Sequence, residues 1–234
     1  SILIALVIVY GNRAEHGEAY EIARQALDSA EQVGDPAFMT PAHYGLGWNL
    51  MFLGELERGR AHLEQAVECY RRQHHRSHVL LYAYDCGVIA RSSLAWALWF
   101  LGYPDQALVQ VQKSLSLAEE LAHPPSLALA QGLGCVPHVV HRDARAVREL
   151  AEACIHLSSE QGFPYSMGMG VTFRGWALAH QGQVEEGSGE MHQAIVQAQA
   201  MGIGVGHPHR LVLLAQVYGN AGRAEEGLSL LAEA

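Results

Sequence analysis

The feature that most constrains this chain is a set of small residues recurring at a fixed spacing. The stretch Trp96 to Leu108, WALWFLGYPDQAL, reads as an apolar helix ending at Leu101, a turn at Gly102, and a second helix that opens with Pro104 and carries small Ala107 inside. With the turn glycine as a phase marker, its equivalents are Ala14, Gly54, Gly102, Arg142, Gly182 and Gly222, at intervals of 40, 48, 40, 40 and 40 residues. Five residues later come Ala19, Gly59, Ala107, Val147, Gly187 and Gly227, and twelve later Ala26, Ala66, Ser114, Cys154, Ala194 and Ala234. Seven residues before the marker stand Val7, Gly47, Ala95, Cys135, Gly175 and Ala215. Small residues on both helices let two backbones approach closely, so each copy is expected to be an antiparallel helix pair packed at one crossing point.

Prolines supply an independent phase. Pro36, Pro124 and Pro164 each follow their marker by 22 residues, inside GDP, HPP and GFP, where one pair ends and the next begins. The spacing predicts twelve helices, at 1–12 and 16–33, 37–53 and 56–72, 87–101 and 104–121, 125–141 and 143–161, 165–181 and 183–201, and 208–220 and 223–234. Only 17% of residues are charged while half are hydrophobic, as expected where each helix is covered both by its partner and by the neighbouring pair. The expectation is one all-α domain over residues 1–234 with no internal boundary. SILIALVIVY and RAEEGLSLLAEA both read as helices cut in mid-repeat, which suggests a piece of a longer protein.

Leu46 and Gly47, then Gly54 and Ala66, resemble the tetratricopeptide repeat, stretched from its usual ~34 residues to 40. LGYPDQAL (Leu101 to Leu108), EQGFP (Glu160 to Pro164), GWALAHQGQVEEG (Gly175 to Gly187) and GRAEEGLSLLAEA (Gly222 to Ala234) resemble the C-terminal repeat region of large bacterial signalling proteins. Those proteins join a class III adenylate or guanylate cyclase domain to a STAND-type ATPase. The resemblance implies a right-handed superhelical solenoid of about six helix pairs with a regulatory, protein-binding role in the cytoplasm. It brings no catalytic residue. Copy four departs from the pattern, with Arg142 at the turn and Leu133 and Gly134 one position out of register.

In a tetratricopeptide superhelix the first helix of each pair lines a concave groove. The matching positions in this chain include Tyr44, Trp48, Met51 and Phe52 of copy two and Trp96, Trp99 and Phe100 of copy three. Copy five contributes Met169 and Trp176, so all four tryptophans of the chain take groove positions. Indole rings there would offer large apolar area with an N–H donor, suited to a peptide, a protein segment or the attached signalling domains, or to a small apolar or aromatic effector. The surplus between copies two and three, residues 74–84 with Tyr82 and Tyr84, is expected to form an extra turn over the groove mouth, and Asp85 to cap the helix after it. Uncapped apolar ends would favour a homodimer.

Other chemistries find little footing. A net charge of −9 argues against nucleic-acid binding, and no apolar run approaches the ~20 residues a bilayer span needs. Cys69, Cys86, Cys135 and Cys154 form no CxxC and read as reduced packing residues. His74, His75 and His78, His138 and His141, and His207 and His209 lack a matching carboxylate, so neither a metal nor another cofactor is expected. His141 to Asp143 spells HRD but lacks the Asn of a kinase catalytic loop, Arg148 standing in its place. Gly202, Gly204 and Gly206 in GIGVG have neither the preceding strand nor the Lys of a phosphate loop, and no GxSxG occurs. The chain is therefore expected not to be an enzyme.

Overall fold

A computed structural model describes residues 2–233; Ser1 and the last small position of the repeat, Ala234, lie outside the described residues. Two compact units divide the chain, Ser1–Ala130 and Gln131–Ala234. The described residues form thirteen α-helices, α1 to α13 in chain order, and one 3-10 turn, with no strand among them. In the first unit α1 (Ile2–Asn12) pairs with α2 (His16–Val33), α3 (Pro36–Phe52) with α4 (Leu56–Cys69), and α6 (Cys86–Phe100) with α7 (Pro104–Leu121). Between α4 and α6 stand the 3-10 turn Arg72–His74 and α5 (His75–Tyr82). α8 (Pro124–Val140) runs across the boundary into the second unit. There α9 (Ala144–Gln161) follows, α10 (Pro164–His180) pairs with α11 (Val184–Ala200), and α12 (His207–Asn220) with α13 (Ala224–Glu233).

Each pair turns at the residue marked by the repeat. Gly54, Gly102, Gly182 and Gly222 have φ between 78° and 94°, and Ala14 and Arg142 adopt φ of 64° and 56° despite their side chains. A left-handed residue reverses the chain at once and suits glycine, so Arg142 marks the one hairpin where a long side chain is held in that conformation. The proline phase also holds. Pro36 and Pro164 occupy the first turn of their helices and Pro124 begins α8.

The small residues bring backbone against backbone. A Cβ placed on Gly175 would stand 2.5 Å from the carbonyl oxygen of Gly187, and one on Gly59 would stand 3.0 Å from that of Gly47. Cys135 takes the equivalent place in copy four, its Sγ 3.8 Å from the Val147 carbonyl. Around these crossings the large apolar side chains close in. Leu63, Leu94, Leu98 and Val111 are buried in one cluster, and truncating such a leucine costs about 2–5 kcal/mol.

The region after α4 differs from expectation. α4 ends at Cys69 rather than near 72, because Tyr70 turns to extended backbone (ψ 133°). Residues 75–82 form an eight-residue helix where the sequence suggests a single extra turn. α5 docks inward, placing Tyr82 in a cluster with Ile4, Ala30 and Ala42. One reason is Pro41, inside α3, which has no N–H for the Ala37 carbonyl four residues earlier. His78, almost fully buried on α5, donates from Nε2 to that carbonyl at 3.1 Å.

Asp85 locks the same junction. Its Oδ1 accepts from the Val88 N–H at 3.0 Å, the expected cap of α6. Oδ2 accepts from the Tyr70 hydroxyl at 3.1 Å and from His75 Nδ1 at 2.9 Å, while the Asp85 N–H donates to Ser126 Oγ at 2.7 Å. A fully buried carboxylate is tolerated because its oxygens are satisfied in this way.

The crossing argument makes a paired test within α11. Gly187→Ala drives a methyl into the backbone of α10 and should destabilise by about 1–3 kcal/mol. Gly189→Ala, where a Cβ meets nothing within 4 Å, should be neutral or stabilise by up to about 1 kcal/mol. Thermal unfolding followed by circular dichroism separates the two, and equal effects would refute a close crossing at Gly187.

Candidate functional site

In the first unit, helical periodicity sets the aromatic residues of α3 and α6 on facing stripes. Tyr44, Trp48 and Phe52 follow one another at four-residue steps along α3, as do Trp96 and Phe100 on α6. Trp48 is the junction. Its ring lies 5.5 Å from Trp96 across the helices, 4.9 Å from Phe52 and 6.4 Å from Tyr44. Trp99 meets Phe100 at 5.2 Å in an edge-to-face contact.

Two residues outside the expected groove set extend the row. Tyr84, just beyond α5, presents its edge to Tyr44 at 6.4 Å. At the other end His16 stacks on Phe52 at 4.4 Å with rings almost parallel. Its Nδ1 donates to Asn49 Oδ1 at 2.9 Å, and Asn49 is oriented by its own bond from Nδ2 to the Gly45 carbonyl at 2.8 Å. The repeat held a signal for this pair: His16 stands two residues after one marker and Phe52 two before the next.

The row is half in and half out. Tyr44, Trp96 and Trp99 rest their inner faces on the cluster of Leu63, Leu94 and Leu98 yet remain partly exposed, as do Trp48 and Phe52. Phe100 is 47% exposed, whereas Met51 is buried among the cluster and serves as its floor. Six ring systems thus form one half-exposed surface that combines apolar ring faces with indole N–H groups.

The second unit treats its two expected site residues differently. Met169 packs over Gly132, where a Cβ would come within 2.8 Å of the methionine methyl. Trp176 is buried at 1% exposure, so it lies within this unit and offers no surface; the exposed His180 ring stacks on it at 3.9 Å. Its indole nitrogen is buried without an acceptor.

His43 and His62 share a hydrogen bond between their Nδ1 atoms at 3.0 Å. Burial, helped by the His62 charge, lowers the His43 pKa to about 4. Among the described residues no group of three or more His, Cys, Asp or Glu is placed to hold a metal ion. Burial also raises the pKa of Cys86, Cys135 and Cys154, which makes them poor nucleophiles.

Residues 40–65 and 88–113 match the tetratricopeptide repeat family. These segments hold most of the aromatic row. No curated protein matches the chain. Among solved structures, a Rap protein complexed with competence and sporulation factor aligns over 99% of this chain and 72% of its own, with TM-score 0.72 and 11% identity. The apo form of RapI aligns over 99% and 94%, with TM-score 0.66 and 9% identity. Aspartyl phosphate phosphatase F from Bacillus subtilis aligns over 99% and 68%, with TM-score 0.66 and 10% identity. At such identities the likeness is one of fold, an all-α array of tetratricopeptide-like helix pairs.

The neutral buried histidines predict a pH dependence. For His43 the unfolded chain takes up a proton near pH 6.5 and the folded chain only near pH 4, so its contribution is intact above about 6.5 and lost as pH falls through that window. The slope is about 1.4 kcal/mol per pH unit for one such group. His43→Gln should flatten the fall in melting temperature between pH 6.5 and 4, and an unchanged slope would exclude His43 as a source.

Proposed function

We propose that this chain is a non-catalytic interaction scaffold that docks a protein or peptide segment on the aromatic row of its first unit. The contact between Trp48 and Trp96 carries the reading, because it joins the apolar faces of α3 and α6 into one continuous, half-exposed surface. An enzyme needs a nucleophile or an acid/base pair facing a cavity. The row supplies apolar area and N–H donors, which suit recognition. The docking residues are Tyr44, Trp48, Phe52, Trp96, Trp99 and Phe100, with Met51 beneath them and Tyr84 and His16 at the ends.

A structural neighbour solved in complex with competence and sporulation factor supports a docked partner here. The repeat sequences resemble those attached to bacterial cyclase and STAND ATPase domains, so we assign the chain a cytoplasmic regulatory role in which those domains are the natural occupants or beneficiaries of docking. Among the described residues no helix is long and apolar enough to cross a membrane. A net charge of −9 disfavours nucleic acid as the partner. A small apolar or aromatic effector held by the same row is the second reading, favoured by the half-exposed Trp48, Trp96 and Trp99 rings.

Peptides selected from a random library on the immobilised chain provide the test. Trp96→Ala should weaken a selected peptide at least tenfold, about 1.4 kcal/mol, with far-ultraviolet circular dichroism unchanged. Peptides indifferent to both Trp48→Ala and Trp96→Ala would sink the docking role of the row.

Exposed apolar side chains on α1, with Ile2 at 78% and Val9 at 45%, and on α13, with Leu228 at 66%, also support self-association. A melting temperature that rises with protein concentration is the expected result, and a strict monomer by sedimentation would count against it.

A further inference from the structure

α5 is seated with its polar face inward. Its apolar residues Leu80 and Leu81 are 85% and 50% exposed, while His78 and Tyr82 are buried. His74, just before the helix, and His78 and Tyr82 within it stand at four-residue steps, so they share the face turned into the first unit. That face is poorly satisfied. Nδ1 of His74, Nδ1 of His78 and the hydroxyl of Tyr82 are buried without a partner, as is Oγ1 of Thr40 on α3. An eight-residue helix has little stability of its own, so α5 depends on this seat.

Four histidines meet one carboxylate there. His75 Nδ1 donates to Asp85 Oδ2 at 2.9 Å, and Nδ1 of His78 lies 4.0 Å from the same oxygen. The His78 ring is 6.3 Å from that of His74, and the His75 ring is 5.5 Å from that of His123, just before α8. The other ionisable groups around them are Tyr70 after α4, Arg72 in the 3-10 turn, Tyr82 and Cys86. Burial raises the pKa of Tyr70, Tyr82 and Cys86, so these stay neutral, and Arg72 is paired with Glu120 at 3.0 Å. α1 brings no charged residue, and the one histidine of α3, His43, bonds to His62 instead. Among the described residues, Asp85 is thus the one carboxylate bonded to this cluster.

One carboxylate can balance one imidazolium. Nε2 of His78 donates to the Ala37 carbonyl, so a second proton would go on Nδ1. The Asp85 oxygen nearest to it already accepts from Tyr70 and His75. Burial lowers the His78 pKa and the charges of His74 and His75 add to this, outweighing the Ala37 bond and Asp85. Burial and then His75 lower that of His123 as well. Released, these two rings take up protons at a higher pH than when seated, so the seat is intact above about pH 6.5 and weakens as pH falls below it.

We infer that α5 is an acid-released latch: when the histidines around Asp85 charge together, its polar face lifts from α3 and carries Tyr84 away from Tyr44. Little apolar burial opposes the release, because both leucines of α5 already face solvent. The departure of Tyr84 strips one end of the aromatic row, so a partner docked there is held less tightly in acid. That consequence rests on the docking role of the row; the latch itself does not.

The test is hydrogen exchange of the whole chain at about pH 7.5 and about pH 5, corrected for the intrinsic pH dependence of exchange and read by mass spectrometry over residues 70–85. Protection of α5 should fall at least about tenfold in acid while that of α6 and α7 holds. His78→Gln, whose amide can still donate to the Ala37 carbonyl but takes up no proton, should keep most of its α5 protection at the lower pH. If that variant fails to seat α5 at the higher pH, His74→Gln decides. It removes a like charge beside His78 and should move the midpoint of release down by about half a pH unit. Unchanged α5 protection in the wild type, an equal loss across α6 and α7, a wild-type loss in a seated His78→Gln, or an unmoved midpoint in His74→Gln would overturn the latch.

Discussion

The structure rests on the contact of one helix backbone with another. At Gly47 and Gly59, and again at Gly175 and Gly187, there is no room for a Cβ between the helices. That proximity fixes where each pair crosses and therefore which side chains face the next pair. Leu63, Leu94 and Val111 can interdigitate between pairs because the space within each pair is already taken by backbone. The aromatic row is a consequence of the same constraint. With the inner stripe of α3 and α6 reserved for small residues, large rings are accommodated on the outer stripe, where Trp48 reaches Trp96.

Polar groups then set the exceptions to the repeat. The eight-residue surplus before α6 is held by bonds that the neighbouring helices could not make for themselves. His78 satisfies a carbonyl freed by Pro41, and Asp85 gathers Tyr70, His75, Val88 and Ser126. These are point contacts with directional demands, so they specify the position of α5 more narrowly than apolar packing would.

This division explains what could be read from sequence. The crossings were legible because close approach demands a small residue at a single position, and the demand repeats; the left-handed turns at Ala14 and Arg142 were found by phase although neither is glycine. Asp85 was legible as a cap because a cap acts on residues adjacent in sequence. The seat of α5 was not, since it depends on a carbonyl 41 residues away. Trp176 shows the limit within the repeat itself. It holds the same register as Trp48 and Trp96, yet it is buried, because burial depends on the rings and helices of its own neighbourhood, His180 among them, and not on phase. His16 and Asn49 escaped notice for a similar reason: their pairing joins the second helix of one pair to the first helix of the next.

The bonds around Asp85 also bear on the order in which the first unit assembles. Most contacts in a stack of helix pairs join residues close in sequence, which favours rapid local formation. The bond from His78 to Ala37 and that from Asp85 to Ser126 each span 41 residues, and the pair Arg72 and Glu120 spans 48. Loop closure of that length gains nothing until the helices on both sides are already in place. The junction around α5 is therefore the natural last step of folding in this unit and the first to open, a clasp fastened on helices that have already formed.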